Sequence, residues 1–255
     1  MDLGLDQKKV IILGGSRGIG WYTANTFKTE GAHVAICGRG RSDVDQATQR
    51  LGSAGPERTV YGAVADLADA AATRGFVADA IAALGGVDIM IHNASGFGTE
   101  NSEEAWQRSF DVDIMAGVRA VEEALPALKE SEAASIVFIG SMASGYHFGR
   151  APAPYGPVKA AMRAYANELA QTYGKEGIRA NVISPGAVWF PGGHWDELKQ
   201  ANPKFYANVE KGIPLQRLGS GDELARIIVF TASPAGLWLN ATHIAADGGQ
   251  VAAVD

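Results

Sequence analysis

The chain has 255 residues, 47% of them hydrophobic, and a formal net charge of -6. That length can bury the core of one α/β domain, and that charge gives no electrostatic hold on nucleic acid or an anionic membrane. Met1 to Lys9 is polar and reads as neither a signal peptide nor an anchor, and no run reaches the roughly 18 apolar residues of a membrane span. Cys37 stands alone, so no internal disulfide can form and a reducing cytoplasm is the expected setting.

Short β-rich runs alternate with longer stretches of helical periodicity. In chain order the predicted strands are Val10 to Leu13, His33 to Cys37, Thr59 to Ala63, Val87 to His92, Ser135 to Ile139, Ala180 to Ile183 and His243 to Ala246. Between them Trp21 to Glu30, Ala68 to Leu84, Glu103 to Leu128, Tyr155 to Tyr173 and Gly221 to Thr231 carry the alanine, leucine and charged residues of helices. The strands are continuous apolar runs, as expected for a sheet covered on both faces. The expectation is a single α/β domain over 1–255, a Rossmann-like doubly wound parallel sheet of about seven strands. One irregular segment, at about 186–219, is rich in Gly, Pro and aromatic residues and too long for an ordinary connection. It is expected to be a substrate-binding lid.

The first strand runs into Gly14, Gly15, Ser16, Arg17, Gly18, Ile19 and Gly20 and then into a helix. Glycines permit a tight turn and a close backbone approach to a pyrophosphate, whose charge the helix N-terminus favours. The same residues match the nucleophile elbow Gly-x-Ser-x-Gly through Gly14, Ser16 and Gly18, but that elbow needs several strands upstream and only one fits here. At the end of the second strand, where a carboxylate would bind the adenosine ribose and repel a 2′-phosphate, stand Gly38, Arg39, Gly40 and Arg41. Arg39 and Arg17 are suited to clamp a 2′-phosphate, so NADP(H) is expected over NAD(H). Asp66 and Leu67, after the third strand, are placed to contact the adenine, although Asp66 reads equally as the N-cap of the next helix.

Tyr155 and Lys159 are four apart in a helical segment and share a face. Such a pair arises by chance in roughly one chain in two of this size, so its weight must come from other residues. Chemically it suits proton transfer: tyrosine ionises near pH 10 in isolation, and a neighbouring ammonium favours the phenolate. Ser141 follows the fifth strand, at the carboxyl end of the sheet, where its hydroxyl can hold a substrate oxygen.

Together these motifs resemble the short-chain dehydrogenase/reductase family over nearly the whole chain. The family's glycine pattern falls on Gly14, Gly18 and Gly20, and its Asn-Asn-Ala-Gly motif on His92, Asn93, Ala94 and Ser95. Its catalytic serine, tyrosine and lysine fall on Ser141, Tyr155 and Lys159, its later Pro-Gly turn on Pro185 and Gly186, and its closing Asp-Gly-Gly on Asp247, Gly248 and Gly249. The resemblance implies hydride transfer between nicotinamide and a carbonyl or secondary alcohol. Tyr155 would act as general acid or base, Lys159 would bind ribose and favour the tyrosine's ionisation, and Ser141 would orient substrate. It also implies a dinucleotide lying along Gly14, Ser16, Arg17, Gly18, Ile19 and Gly20, reaching Arg39, Asp66 and Leu67. The remaining contacts would be Asn93, Ala94, Ser95, Tyr155, Lys159, Pro185, Gly186 and Val188.

Four departures stand out. Leu13 replaces a threonine that braces the glycine turn; His92 and Ser95 replace an asparagine and a glycine; and Ser141 precedes Tyr155 by one residue more than is commonest, with Ser144 the weaker substitute. Asp113 stands where the fourth catalytic residue is normally asparagine. In the family that residue's main-chain carbonyl supports a water leading to the lysine, which an aspartate would preserve, while its charge would alter the pH profile.

Trp189, Phe190, Trp195, Phe205 and Tyr206 crowd the 186–219 segment and point to a bulky apolar ketone or alcohol, or to packing of the lid and subunits. His147 and His194 lie where substrate could touch them. The histidines show no metal-ligand spacing, so no metal is expected. The resemblance implies a homo-oligomer, a tetramer or dimer built on the helices Glu103 to Leu128 and Tyr155 to Tyr173. Two other functions fit the same residues: a non-catalytic NADP(H)-sensing protein, if the departures mark lost catalysis, and an enoyl-type double-bond reductase.

Overall fold

A computed structural model describes residues 1–149 and 151–252. Its first half alternates β1 (Lys9–Leu13), α1 (Gly18–Thr29), β2 (His33–Gly38), α2 (Arg41–Gly52), β3 (Val60–Val64), α3 (Ala70–Leu84) and β4 (Ile89–His92). Then come α4 (Glu103–Ser109), a π-helical turn at Phe110–Met115, α5 (Ala116–Lys129), β5 (Ser135–Ile139), α6 (Tyr155–Tyr173) and β6 (Arg179–Pro185). The remainder is β7 (Val188–Trp189), α7 (His194–Ala201), α8 (Pro203–Gly212), β8 (Gly219–Ser220), α9 (Gly221–Ala232) and β9 (His243–Ala246).

Seven strands form one parallel sheet in the order β3-β2-β1-β4-β5-β6-β9. The order reverses between β1 and β4, which opens a crevice at their carboxyl ends. Side chains alternate across the sheet, as strand geometry requires. Val10 and Ile12 of β1 pack with Ala24 and Phe27 of α1, Leu51 of α2 and Ile228 of α9. Ile11 and Leu13 pack on the other face with Val77 of α3, Ala120 of α5 and Met162 of α6. Each such fully buried large apolar side chain contributes about 1.5–3 kcal/mol, which explains why the strand runs are predominantly apolar.

The seven expected strands are all present. The structure adds α2, whose only buried residues are Val44, Ala47 and Leu51; the apolar stripe is one residue wide and its polar surroundings hide it. The expected single helix over Glu103 to Leu128 is divided by the π-turn, which carries Asp113 into the interior. α3 starts later than expected, because Asp69, not Asp66, caps it by accepting from Ala72 N–H at 2.7 Å. Segment 186–219 is ordered by its own small cluster of Ala187, Tyr206, Ile213 and Leu218, with Trp189, Trp195 and Val209 against it. Among the described residues no helix is long and apolar enough to cross a membrane.

Candidate active site

The crevice above β1 and β4 holds a cleft of about 500 Å³. Its floor is the glycine turn. Gly14 and Gly18 have φ of +79° and +56°, a left-handed backbone that side chains disfavour. Gly20 is buried and does not line the cleft; a side chain there would run into the Gly14 carbonyl. Its role is therefore close packing of helix on turn. The hydroxyl lost at Leu13 is made good from elsewhere: Asn93 Nδ2 donates to the Gly14 carbonyl at 2.8 Å, and Gly15 N–H to the Cys37 carbonyl at 3.0 Å.

No side chain caps the N-terminus of α1, and its first turn has no acidic residue. An anion can therefore reach the free N–H groups, and these residues fit a dinucleotide pyrophosphate. Ser16, Arg17, Gly18 and Ile19 line the cleft, as do Arg39, Asp66 and Leu67 at one end. Arg17 and Arg39 are exposed there, whereas Arg41 pairs with Asp45 at 3.7 Å and lies outside the lining. Asp66 accepts from Ala68 N–H at 3.1 Å, so its carboxylate shapes the end of its own strand. Cys37 beneath the turn is buried, and burial pushes its thiol up to about 12, leaving it unreactive.

At the other end the cleft is lined by Asn93, Ala94 and Ser95 after β4, Ser141 after β5, Tyr155 and Lys159 of α6, and Pro185, Gly186 and Val188 around the end of β6. Tyr155 is the first residue of α6 and its N–H donates to the Gly98 carbonyl at 3.3 Å. Lys159 follows one turn later, with Nζ 5.8 Å from the centre of the Tyr155 ring. The extra residue before Tyr155 is accompanied by a 3-10 turn at Met142–Ser144, which Ser141 caps by accepting from Ala143 N–H at 3.1 Å. Ser141 lines the cleft and Ser144 does not.

Asp113 is the site's main surprise. It is fully buried, lies behind the cleft wall, and its Oδ1 is 2.9 Å from Lys159 Nζ. Lys159 also donates to the Ile139 carbonyl at 2.9 Å. The Asp113 main-chain carbonyl, expected to support a water, accepts from His92 Nε2 at 2.9 Å. The link to lysine thus runs through the side chain.

The aromatic residues divide. Phe190 and Trp195 line the cleft, Trp189 and Tyr206 pack within the 186–219 segment, and Phe205 is exposed outside the lining. Phe190 packs over the turn so closely that a Cβ at Gly18 would be 2.8 Å from its ring. Phe97, which the sequence reading passed over, holds φ of +49° and stands edge-on to both Tyr155 and His194, each at 5.3 Å. A non-glycine residue in that conformation between two glycines was the only local signal, and it needs coordinates to read. His194 and Glu197 line the cleft and His147 does not. Among the described residues no His, Cys, Asp and Glu group could hold a metal.

A family model described as Enoyl-(Acyl carrier protein) reductase matches residues 14–250. The chain is similar to isoepoxydon dehydrogenase of Penicillium expansum, 36% identical over 248 residues that cover 96% of this chain and 95% of that protein. It is similar to levodione reductase of Leifsonia aquatica, 29% identical, with 97% and 95% covered. Its fold matches the crystal structure of L-sorbose reductase from Gluconobacter frateurii complexed with NADPH and L-sorbose, with a TM-score of 0.90, 27% identity and all of both chains covered. With the glycine turn, the serine, the tyrosine and the lysine converging on one cleft, and these matches running the length of the sequence, the chain belongs to the short-chain dehydrogenase/reductase family.

Proposed function

We propose that the protein is an NADP(H)-preferring carbonyl reductase or secondary-alcohol dehydrogenase in which Tyr155 transfers the proton. The chain is an oxidoreductase that moves hydride between a nicotinamide dinucleotide and a carbonyl or alcohol carbon. The observation that carries the residue assignment is the single cleft in which Ser141, Tyr155 and Lys159 meet the uncapped glycine turn. The bound dinucleotide supplies or accepts hydride at nicotinamide C4. The turn and the start of α1 hold its pyrophosphate, and Arg17 and Arg39 hold a 2′-phosphate. Ser141 donates to the substrate oxygen, and Tyr155 Oη gives that oxygen its proton in reduction or takes it in oxidation. Lys159 has three N–H donors; Ile139 and Asp113 face two, which leaves one for a ribose hydroxyl. Asp113 touches the lysine and not the cleft, so it is assigned as a positioning residue.

The NADPH in the L-sorbose reductase complex supports the phosphate-bearing cofactor here. Segment 186–219 is read as the lid, and Phe97, Phe190 and Trp195 offer apolar faces to a ketone or alcohol. His194 and Glu197 offer it polar ones. Exposed Trp106 of α4 and Phe110 of the π-turn support a homo-oligomer built on the helices of Glu103 to Leu128 and Tyr155 to Tyr173, and lone, buried Cys37 is compatible with a cytoplasmic setting.

The test is a ketone and alcohol panel run with NADPH and NADH in parallel. Tyr155→Phe is expected to keep cofactor affinity and lose about 10² to 10⁴ in turnover; undiminished turnover overturns the assignment. Equal kcat/KM with the two cofactors removes the role given to Arg17 and Arg39. Because the matching family model is described by a double-bond reductase, product analysis with an enone decides which bond takes the hydride.

A further inference from the structure

His92 closes β4 with 1% of its surface exposed, and nothing in the proposed reaction uses it. Its ring is fixed by an edge-on contact with Phe138 at 5.9 Å and by the bare face of Gly117, whose Cβ would sit 3.2 Å from His92 Cδ2. Nε2 lies 2.9 Å from the Asp113 carbonyl, which can only accept, so Nε2 carries the hydrogen. Nδ1 is buried and unpartnered. Burial pushes the imidazole down to about 4, and the Lys159 charge acts in the same direction, so the ring is a neutral donor at neutral pH.

The Asp113 side chain does two things at once. Oδ1 faces Lys159 Nζ at 2.9 Å, and Oδ2 accepts from Gly96 N–H at 2.8 Å. A carboxylate has acceptors on both oxygens; an asparagine has one oxygen and would turn its NH₂ toward either another N–H or the ammonium. Gly96 precedes Phe97, which leans on the Tyr155 ring. One buried carboxylate therefore anchors both the lysine and the loop that borders the tyrosine.

Resting on the roles assigned above to Tyr155 and Lys159, we propose that His92 is a positioning residue for the catalytic lysine. By holding the Asp113 main chain, it keeps the carboxylate on Lys159 Nζ and Gly96 N–H. The lysine then presents to Tyr155 a charge partly cancelled by its partner. The other charged or titratable side chains at the cleft are Arg17, Arg39, Asp66, Arg108, His194 and Glu197, and the ion pair of Lys159 is with Asp113. An ammonium favours a neighbouring phenolate and an adjoining carboxylate opposes that effect.

The experiment follows the pH dependence of kcat for alcohol oxidation, together with hydrogen exchange at the Gly96 amide, in the full chain. In Asp113→Asn the rising limb is expected to move to lower pH by about half a unit or more, and in Asp113→Ala, which leaves no acceptor, Gly96 is expected to exchange about tenfold faster as its bond is lost. His92→Phe, which removes the donor, is expected to move both in the same direction. His92→Gln, whose amide reaches a similar distance, restores them. In the Asp113→Asn background His92→Phe is expected to add nothing. A His92→Phe protein with an unchanged limb and unchanged Gly96 exchange overturns the proposal, as does a shift that persists in the absence of the carboxylate. If His92→Phe does not fold, His92→Asn, too short to reach the carbonyl, takes its place. Gly96 exchange that responds as expected in a protein that turns over no carbonyl or alcohol refutes the oxidoreductase assignment and leaves the network standing.

Discussion

Asp113 and Lys159 form an ion pair at 2.9 Å with side chains 0% and 2% exposed, and such a pair can be weighed by removing each partner in turn. Lys159→Met leaves a buried carboxylate with only the Gly96 N–H to stabilise it. Asp113→Asn leaves a buried ammonium whose remaining strong partner is the Ile139 carbonyl. Taking one partner from a buried pair costs about 3–5 kcal/mol, because the other is stranded in low dielectric, while replacing both is close to neutral. Total stabilities of about 5–15 kcal/mol make either loss easily visible. Urea denaturation of the wild type, both single variants and the double variant closes the cycle. The double variant is expected to be more stable than the sum of the singles by about 2 kcal/mol or more. Additivity within about 0.5 kcal/mol would show that the two charges do not depend on each other, and would refute the reasoning.

Two further outcomes follow from the same geometry. His92 is held near 4 in the folded protein against 6.5 for the free side chain, so between those values the unfolded chain binds more protons. Stability then falls as pH drops through that window, by about 2.5 kcal/mol near pH 4.5 from this group, and His92→Gln removes that component; an identical acid response in the variant would place the loss elsewhere. Asn93→Ala loses the 2.8 Å bond to the Gly14 carbonyl and is expected to cost about 1 kcal/mol in urea and to weaken NADPH binding several-fold by titration calorimetry. Wild-type affinity would mean that the glycines hold the turn unaided.

The strands were legible because both faces of a parallel sheet must be covered, which leaves mostly apolar runs with few polar residues such as Asn181 of β6. α6 was legible to its ends, Tyr155 and Tyr173, and with it the common face of Tyr155 and Lys159. α2 was not, because a helix lying on an outer strand buries only Val44, Ala47 and Leu51 and is otherwise polar. The aromatic residues of 186–219 were visible as a group, but which of them face substrate depends on how α7 and α8 fold over Tyr206.

Residue types and spacing therefore determined the fold class and singled out the glycine turn and the Tyr155 and Lys159 pair as candidates, because each lies within a turn or two of chain and several such motifs follow in order. The unusual charge of Asp113 was visible too, but its consequence was not. Only the tertiary structure brings a π-turn, the end of β4 and α6 together, so that the Asp113 carbonyl accepts from His92 and the carboxylate meets the lysine directly. Those contacts join residues far apart in sequence, and nothing local encodes which lone pair of a buried aspartate will face which donor.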